Sequence, residues 1–462
     1  MTAAAAALRS GAVTSVQLTE AAIDRATKLD DSLGVYLARF DDYAMAMAVT
    51  ADAELAAGTD RGLLHGIPCA VKDIIAMAEG PTTAQSLILD PAWGAGRDAP
   101  VVARLKRAGA VITGKVTTME FAIGMPDAGK PFPLPRNPWD TSTWPGGSSS
   151  GSGAGVAAGL FYMALGTDTG GSIRIPAAFC GVSGLMPTFG RVPKAGCVPL
   201  GYSLDHIGPL ARSVADCAAV LEVIAGHHPS DPDCVDAPFT ARSADGDLDG
   251  VRIGVAIEHQ FSDQADPAAR PAFDAAVAVL AAHGADVREV RLPYWSEMAT
   301  ANTVTMESEA LAYHRADLRD RWADYFAMTR AFIGQGAFVS GADYVQAQRV
   351  RRVAQQALGD LFAEVDLVVS PTVQCGGPRY EALTGSGRAG MEGFMAQINT
   401  PYWDSVGNPV LAVPVGFTAA GLPLSMQIAG PPFGEAAALR AGQVYQEHTS
   451  WHLREPAIAS AL

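Results

Sequence analysis

At 462 residues, with hydrophobic residues at 49% and charged residues at only 18%, the chain has the composition of a well-buried globular protein and not of a disordered one. A formal net charge of -15 excludes a broad basic surface, so neither nucleic acid nor an anionic membrane is expected as a partner. Six cysteines (Cys69, Cys180, Cys197, Cys217, Cys234, Cys375) form no C-x-x-C pair. With no leader and no window of about 18 apolar residues, they predict buried, reduced thiols in a cytoplasmic protein.

Thr14 and Gln17 have the spacing of a capping box, and Val16, Leu18, Ala21, Ala22 and Ile23 then recur at roughly helical spacing, so the chain is expected to open on an amphipathic helix. A second helix over 41–57 precedes a short apolar run from Ile67 to Ile75, which contains Pro68, Lys72 and Asp73. A helix at 99–109 leading into an apolar run at 110–113 continues the alternation expected of an α/β protein. Residues 124–155 are rich in Pro, Gly and Ser, the composition of a flexible linker, yet Phe132, Trp139 and Trp144 argue for a packed segment. Ala154 to Leu165 reads as an Ala-rich helix before a turn over 166–172. Helices over 213–225, 268–283, 306–332 and 342–363 and buried strands over 251–256, 365–370 and 409–415 complete the reading.

The sharpest constellation is GGSSSGSG at 146–153 followed by DTGGSIR at 168–174, with HGIPCAVKD at 65–73 upstream. Paired glycines let backbone amides converge without Cβ obstruction, so Thr169, Gly170, Gly171 and Ser172 can present N–H groups to one oxygen. Each such oxyanion donor is worth roughly 2.7–4 kcal/mol of barrier. Ser172 follows the glycines, where a nucleophile lies beside those donors, and its hydroxyl needs a base. No histidine stands in a motif that marks it for that task. Lys72, in an apolar run, is a better candidate, because burial disfavours the ammonium and moves its pKa toward the range useful to a base. Taken singly, Lys72 reads as a lysine paired with Asp73 and Ser172 as a turn or helix cap. Their combination points to hydrolysis.

These segments, with TTMEFAIG, RNPWD, GRVPKAGCVPLGYSLDHIGPLARSVADC, DLVVSPT and GNPVLAVPVG, resemble the amidase signature family over residues 13 to 440. The resemblance implies one amidase domain over 1–462, an α/β/α layered fold in which a large mixed, twisted sheet is covered by helices on both faces. Its catalytic core would lie at about 60–225 and its variable pocket helices at about 295–360. It further implies Ser172 as the acyl-forming nucleophile, Ser148 as a bridging serine on a cis peptide, Lys72 as the base and residues 169–172 as the oxyanion hole. Gly147, Asp168 and Arg174 fall in supporting positions, and no metal or organic cofactor is implied. The family commonly has Gly where Ser150 stands; a left-handed backbone there would cost a non-glycine about 1–2 kcal/mol.

The expected function is a free-standing amidohydrolase that cleaves the C–N bond of a small amide, aryl amide or carbamate (urethane), with esterase side activity. Trp295, Met298, Met306, Tyr313, Trp322, Tyr325, Phe326, Met328, Phe332 and Phe338 predict a pocket for a neutral, apolar or aromatic small molecule, and a homo-oligomer is left open. The rival is the glutaminase component of a tRNA-dependent amidotransferase, which frees ammonia with the same triad; it ranks second because the charge offers tRNA no basic surface. Two decoys are set aside. Ser149 fits the G-x-S-x-G of α/β-hydrolases but lacks a preceding strand. His448 and His452 lie four apart, as metal ligands can, but no third ligand is near.

Overall fold

Short runs of Val, Ile, Leu and Ala become strands in this chain, and the helices between them turn their apolar faces onto the sheet those strands build. The computed structural model describes residues 1–237, 239, 246–384 and 393–460. In chain order the strands are β1 (Tyr36–Arg39), β2 (Pro68–Lys72), β3 (Val111–Val116), β4 (Met163–Asp168), β5 (Ser183–Met186), β6 (His206–Ala211), β7 (Arg252–Ala256), β8 (Asp286–Val290), β9 (Leu367–Pro371), β10 (Val410–Phe417) and β11 (Pro423–Ala429). They form one eleven-stranded mixed sheet ordered β1-β3-β2-β4-β6-β5-β10-β11-β9-β7-β8. β4 and β3 run parallel to β2, and β7 runs parallel to β8 and β9.

The two-residue period of a strand sorts side chains onto two helical layers. Cys69 and Val71, Met163 and Leu165, Leu411 and Val413 pack with helices Pro100–Arg107, Val214–Ile224, Ala269–Ala282 and Glu435–Glu447. Their neighbours Ala70, Ala164 and Ala412 face the opposite layer, with residues of helices Ser15–Leu33, Ser150–Ala157 and Arg174–Cys180. The α/β/α layering expected from the family resemblance is present.

The capping box forms as expected: Gln17 N–H donates to Thr14 Oγ1 at 3.1 Å and Thr14 N–H donates to Gln17 Oε1 at 2.9 Å. Helices Asp41–Ala56, Pro100–Arg107, Val214–Ile224, Ala269–Ala282 and Gly341–Glu364 lie where expected. Three expectations change. Helix Thr2–Ser10 precedes the first expected one, burying Ala5 and Leu8 against Ile67. The Ala-rich stretch splits: its helix ends at Ala157, Gly159 turns the chain at φ +70, and Met163 to Leu165 belong to β4. The long helix starts early, at Trp295, and stops at Arg321. A second helix, Ala327–Gln335, begins after Phe326 gives its N–H to the buried Glu120 carboxylate at 2.7 Å. Residues 124–155 are no spacer, for Trp144 and Asn137 are buried there.

Candidate active site

Parallel strands β2 and β4 lie side by side, with Val71 opposite Leu165, so their last residues emerge at the same edge of the sheet. Lys72 ends β2 and is wholly buried. Its Nζ lies 2.7 Å from Ser148 Oγ and 2.7 Å from Thr167 Oγ1. The neighbouring carboxylate of Asp73 does not compete, because it pairs with Lys115 Nζ at 2.9 Å. Burial pushes the Lys72 ammonium down to about 7, against the opposing pull of the acidic groups around it.

Two consequences follow for pH. If only the neutral amine can take a proton, amide cleavage rises as pH climbs through about 7. A rate profile that stays flat from about pH 5 to pH 9 would remove Lys72 from the base role. Stability runs with the same sign. The unfolded lysine keeps its proton to about 10.5, while the folded one gives it up near 7. Burial therefore costs folding roughly 5 kcal/mol below the folded value, and the cost fades toward the unfolded one. Lys72→Met, which carries no proton, is expected to raise the urea midpoint most at neutral and acid pH and least near pH 10. The gain is reduced by the hydroxyls of Ser148 and Thr167 that lose a partner, each worth about 1–3 kcal/mol if buried and unpaired.

The Gly147–Ser148 peptide is cis, and helix Ser150–Ala157 begins two residues later. Ser150 does not adopt a left-handed backbone; it opens the helix, and its Oγ donates to Gly146 O at 2.6 Å. The loop thus accommodates serine without the conformational cost considered above. Ser149 is structural: its N–H donates to Ser172 O at 3.2 Å, and its Oγ lies 3.2 Å from both Thr167 N and Thr167 O.

β4 delivers the turn of residues 169–172. Gly171 N–H is committed to Asp168 Oδ1, whereas Thr169, Gly170 and Ser172 N–H groups meet no protein acceptor among the described residues. Of the four amides expected from sequence, three are thus left uncommitted among the described residues, and the glycine at 171 serves shape. Its φ is +127, and a Cβ there would collide with Thr400 Oγ1, which itself donates to Gly170 O at 2.7 Å. Gly171→Ala is expected to lower cleavage by about 10²-fold or more, the cost of losing oxyanion donors. Steady-state kinetics on the folded variant check it; wild-type turnover would show the turn tolerates a side chain.

Asp168 and Arg174 are both buried, and neither lines the cavity. Arg174 Nε donates to Asp168 Oδ2 at 2.9 Å and its Nη2 to Asp404 Oδ2 at 2.5 Å, while Nη1 reaches Thr400 O and Gln427 Oε1 at 3.0 and 3.1 Å. Burial alone would raise Asp168, but the guanidinium outweighs it and holds the carboxyl low. Asp404 is pushed well above the carboxylate range by burial and by the Asp168 charge. The two predicted residues thus brace the turn from below. Asp404, Thr400, Gln427 and Thr167 complete the frame and carried no local sequence signal, since each lies far along the chain or has an ordinary polar identity.

Ser148, Ser172, Thr169, Gly170 and Gly147 line one cavity of about 390 Å³. Its walls are Met119, Met125, Trp144, Ile175, Leu200, Phe394 and Ile398, and no charged side chain lines it among the described residues. Of the apolar stretch expected to form the pocket, Trp295, Met306, Met328 and Phe332 take part. Met298, Tyr325 and Phe326 are buried without lining it, and Tyr313, Trp322 and Phe338 are exposed. The histidine pair at 448 and 452 shares no helix face, because the helix ends at Glu447. His448 stacks on His283 at 3.4 Å, with Asp247 close by. Those rings are 16° from parallel, so their in-plane lone pairs do not converge on one ion, and none of the three contributes to the cavity.

The profile of the Amidase family matches residues 17–439. The chain belongs to the amidase signature family. It is a hydrolase of the C–N bond class, and the sheet and its two helical layers are those of amidase-signature structures. The glutamyl-tRNA(Gln) amidotransferase A subunit of Chloroflexus aurantiacus is 38% identical over 99% of this chain and 98% of its own length. Among solved structures, a component of a vestigial protein complex bearing on the evolutionary origins of an s-triazine catabolic enzyme superposes with a TM-score of 0.87 at 34% identity, covering 96% of this chain and 97% of that one. The glutamyl-tRNA(Gln) amidotransferase A subunit of Thermotoga maritima superposes with a TM-score of 0.80 at 28% identity, covering 94% and 92%.

These relatives overturn the expectation of a free-standing amidohydrolase for small apolar amides and carbamates, with no link to nucleic acid. The physical reason is that net charge describes only this chain's own surface. In a multi-subunit enzyme the charges that meet an RNA can belong to other subunits. The apolar stretch reports on the walls of the cavity and carries no information about assembly. No helix of the described residues is long and apolar enough to cross a membrane.

Proposed function

We propose that this chain is the amide-cleaving component of an amidotransferase, releasing ammonia from the carboxamide of a glutamine donor for transfer on a glutamyl-tRNA. The observation that carries the reading is the 38% identity to these amidotransferase relatives over practically the whole of both chains. In this reading neutral Lys72 draws the proton of Ser148 as Ser148 takes that of Ser172, and Ser172 Oγ bonds to the carbonyl carbon. The oxyanion meets the free amides of Thr169, Gly170 and Ser172. The proton then returns through Ser148 to the nitrogen, the C–N bond breaks, and ammonia leaves an acyl-enzyme on Ser172. Water adds to that ester by the same relay.

The described lining carries no charged side chain, which bears on how the donor is held. A free amino acid brings an ammonium and a carboxylate, which are costly to bury unpaired. The contacts that read them are to be sought outside this described lining. Reconstitution with those subunits tests the proposal, by following the amide ¹⁵N of labelled glutamine into amidated glutamyl-tRNA. Transfer that vanishes in Ser172→Ala supports the reading. No transfer, alongside Ser172-dependent cleavage of other amides, would leave a C–N hydrolase and remove the amidotransferase role.

A further inference from the structure

Thr169 is the first residue beyond β4, and the Asp168 carbonyl of its N–H-bearing peptide lies 3.3 Å from His206 Nδ1 on the neighbouring strand. Asn302 Nδ2 reaches Thr169 O at 3.4 Å, and the Thr169 side chain adds a further hold. Thr169 Oγ1 donates to Asp205 Oδ1 at 2.7 Å. The same oxygen accepts Gly201 N–H at 3.1 Å, and Oδ2 accepts Leu200 N–H at 3.0 Å. Leu200 and Thr169 both line the cavity, and a Cβ on Gly201 would stand 3.1 Å from Thr169 Cγ2. One carboxylate therefore ties the 169–172 turn to the neighbouring 200–201 segment of the same cavity.

We infer that Asp205 is a positioning residue for amide cleavage, holding the Thr169 peptide where its N–H meets the oxyanion. The inference rests on the reading of residues 169–172 given under Proposed function. Three donors converge on Asp205, a hydroxyl and two peptide N–H groups, and only an acceptor-only group satisfies all three. Asparagine would set its own N–H₂ against one of them. An oxyanion donor has to lie within about 2.7–3.1 Å of where the charge develops, so a small drift of the turn costs rate. The plain alternative is that Asp205 merely caps the 200–201 turn, with Thr169 a bystander.

Labelling Ser172 with a fluorophosphonate separates the two readings and uses the chain by itself. Ser172 Oγ bonds to phosphorus, the P–F bond breaks, fluoride leaves, and the serine proton passes through Ser148 to Lys72. Thr169→Val removes the hydrogen bond while keeping shape and leaving the 200–201 turn capped. Thr169→Val and Asp205→Ala are each expected to slow labelling about 10- to 100-fold, short of the roughly 10²–10³ of a deleted donor. The double variant is expected to be no slower than the worse single one, as for two ends of one contact.

A pH profile adds a reading that a merely structural role would not move. Cys197, Asp168 and Asp205 each favour the Lys72 proton, and Lys194, His206 and Asp231 line a pocket together with Asp205. Asp205→Asn, which removes one of those charges, is expected to move the labelling midpoint to lower pH, and Thr169→Val to leave it in place. Wild-type labelling by Thr169→Val, or single effects that multiply in the double variant, would overturn the inference while leaving the Ser172 site intact. A wild-type chain that takes no label on Ser172 would overturn the reading of the whole site, and this inference with it.

Discussion

Ser172→Ala is expected to lower amide cleavage by about 10⁴-fold or more, with no acyl adduct in the intact mass of the protein after mixing with substrate. The size follows from the division of labour in the cavity. The variant keeps the amides of Thr169, Gly170 and 172 and the apolar walls, so it can still bind an amide and polarise its carbonyl. It lacks the oxygen that forms the ester, and water held by the same donors is a poor substitute. The folding change should be small, within about 0.5 kcal/mol, because the Ser172 hydroxyl makes no hydrogen bond among the described residues and is half-buried at the cavity wall. Ser148→Ala differs, since it also removes a partner of Lys72. A Ser172→Ala variant that keeps its turnover, or that still acquires the acyl mass, would place the nucleophile elsewhere.

Arg174→Met carries the largest expected cost in stability, about 3–5 kcal/mol at neutral pH, the usual result of breaking a buried ion pair from one side. Methionine fills much of the volume but leaves the Asp168 and Asp404 carboxyls facing each other in a fully buried site. The sign of the pH dependence follows. In the wild type Asp168 is held below its unfolded value by Arg174, so the stability it adds is present above that value and is lost only in strong acid. In the variant nothing offsets burial, the carboxyls bind protons more readily, and the deficit shrinks as pH falls toward about 4. Urea midpoints at neutral and mildly acid pH measure this. Equal midpoints for the two proteins at neutral pH would mean that the network contributes geometry without net stability.

Much of the site was legible because its chemistry is written in short segments. Lys72 in an apolar run, serines among glycines and a paired glycine before Ser172 each dictate local backbone or burial, and the structure sets the buried Lys72 2.7 Å from Ser148, which lines one cavity together with Ser172. The helices with caps and clean apolar faces were legible for the same reason, as Thr14 with Gln17 illustrates. What escaped was set by distant partners. Met163 to Leu165 continue an Ala-rich helical pattern and become strand only because β2 and β6 flank them. β5, β6 and β11 are buried on both sides and so lack the alternation that reveals a strand. Asp404 and Thr400 meet Arg174 across more than 200 residues of chain. The commitment of Gly171 N–H to Asp168 depends on a turn geometry that a motif does not display. The biological role was the least legible, since a cavity's walls do not record which assembly it serves.

The order of three consecutive residues at the end of β4 has a further meaning. Thr167 offers Lys72 a neutral hydroxyl, Asp168 points the other way to Arg174, and Thr169 turns back toward the cavity loop. The strand thus turns a full negative charge toward Arg174 and sets a neutral hydroxyl against the amine. Sliding this strand by a single position would present the carboxylate to Lys72 in place of the hydroxyl. The amine would then hold its proton to high pH, and a correctly folded sheet with every catalytic side chain present would be silent at neutral pH.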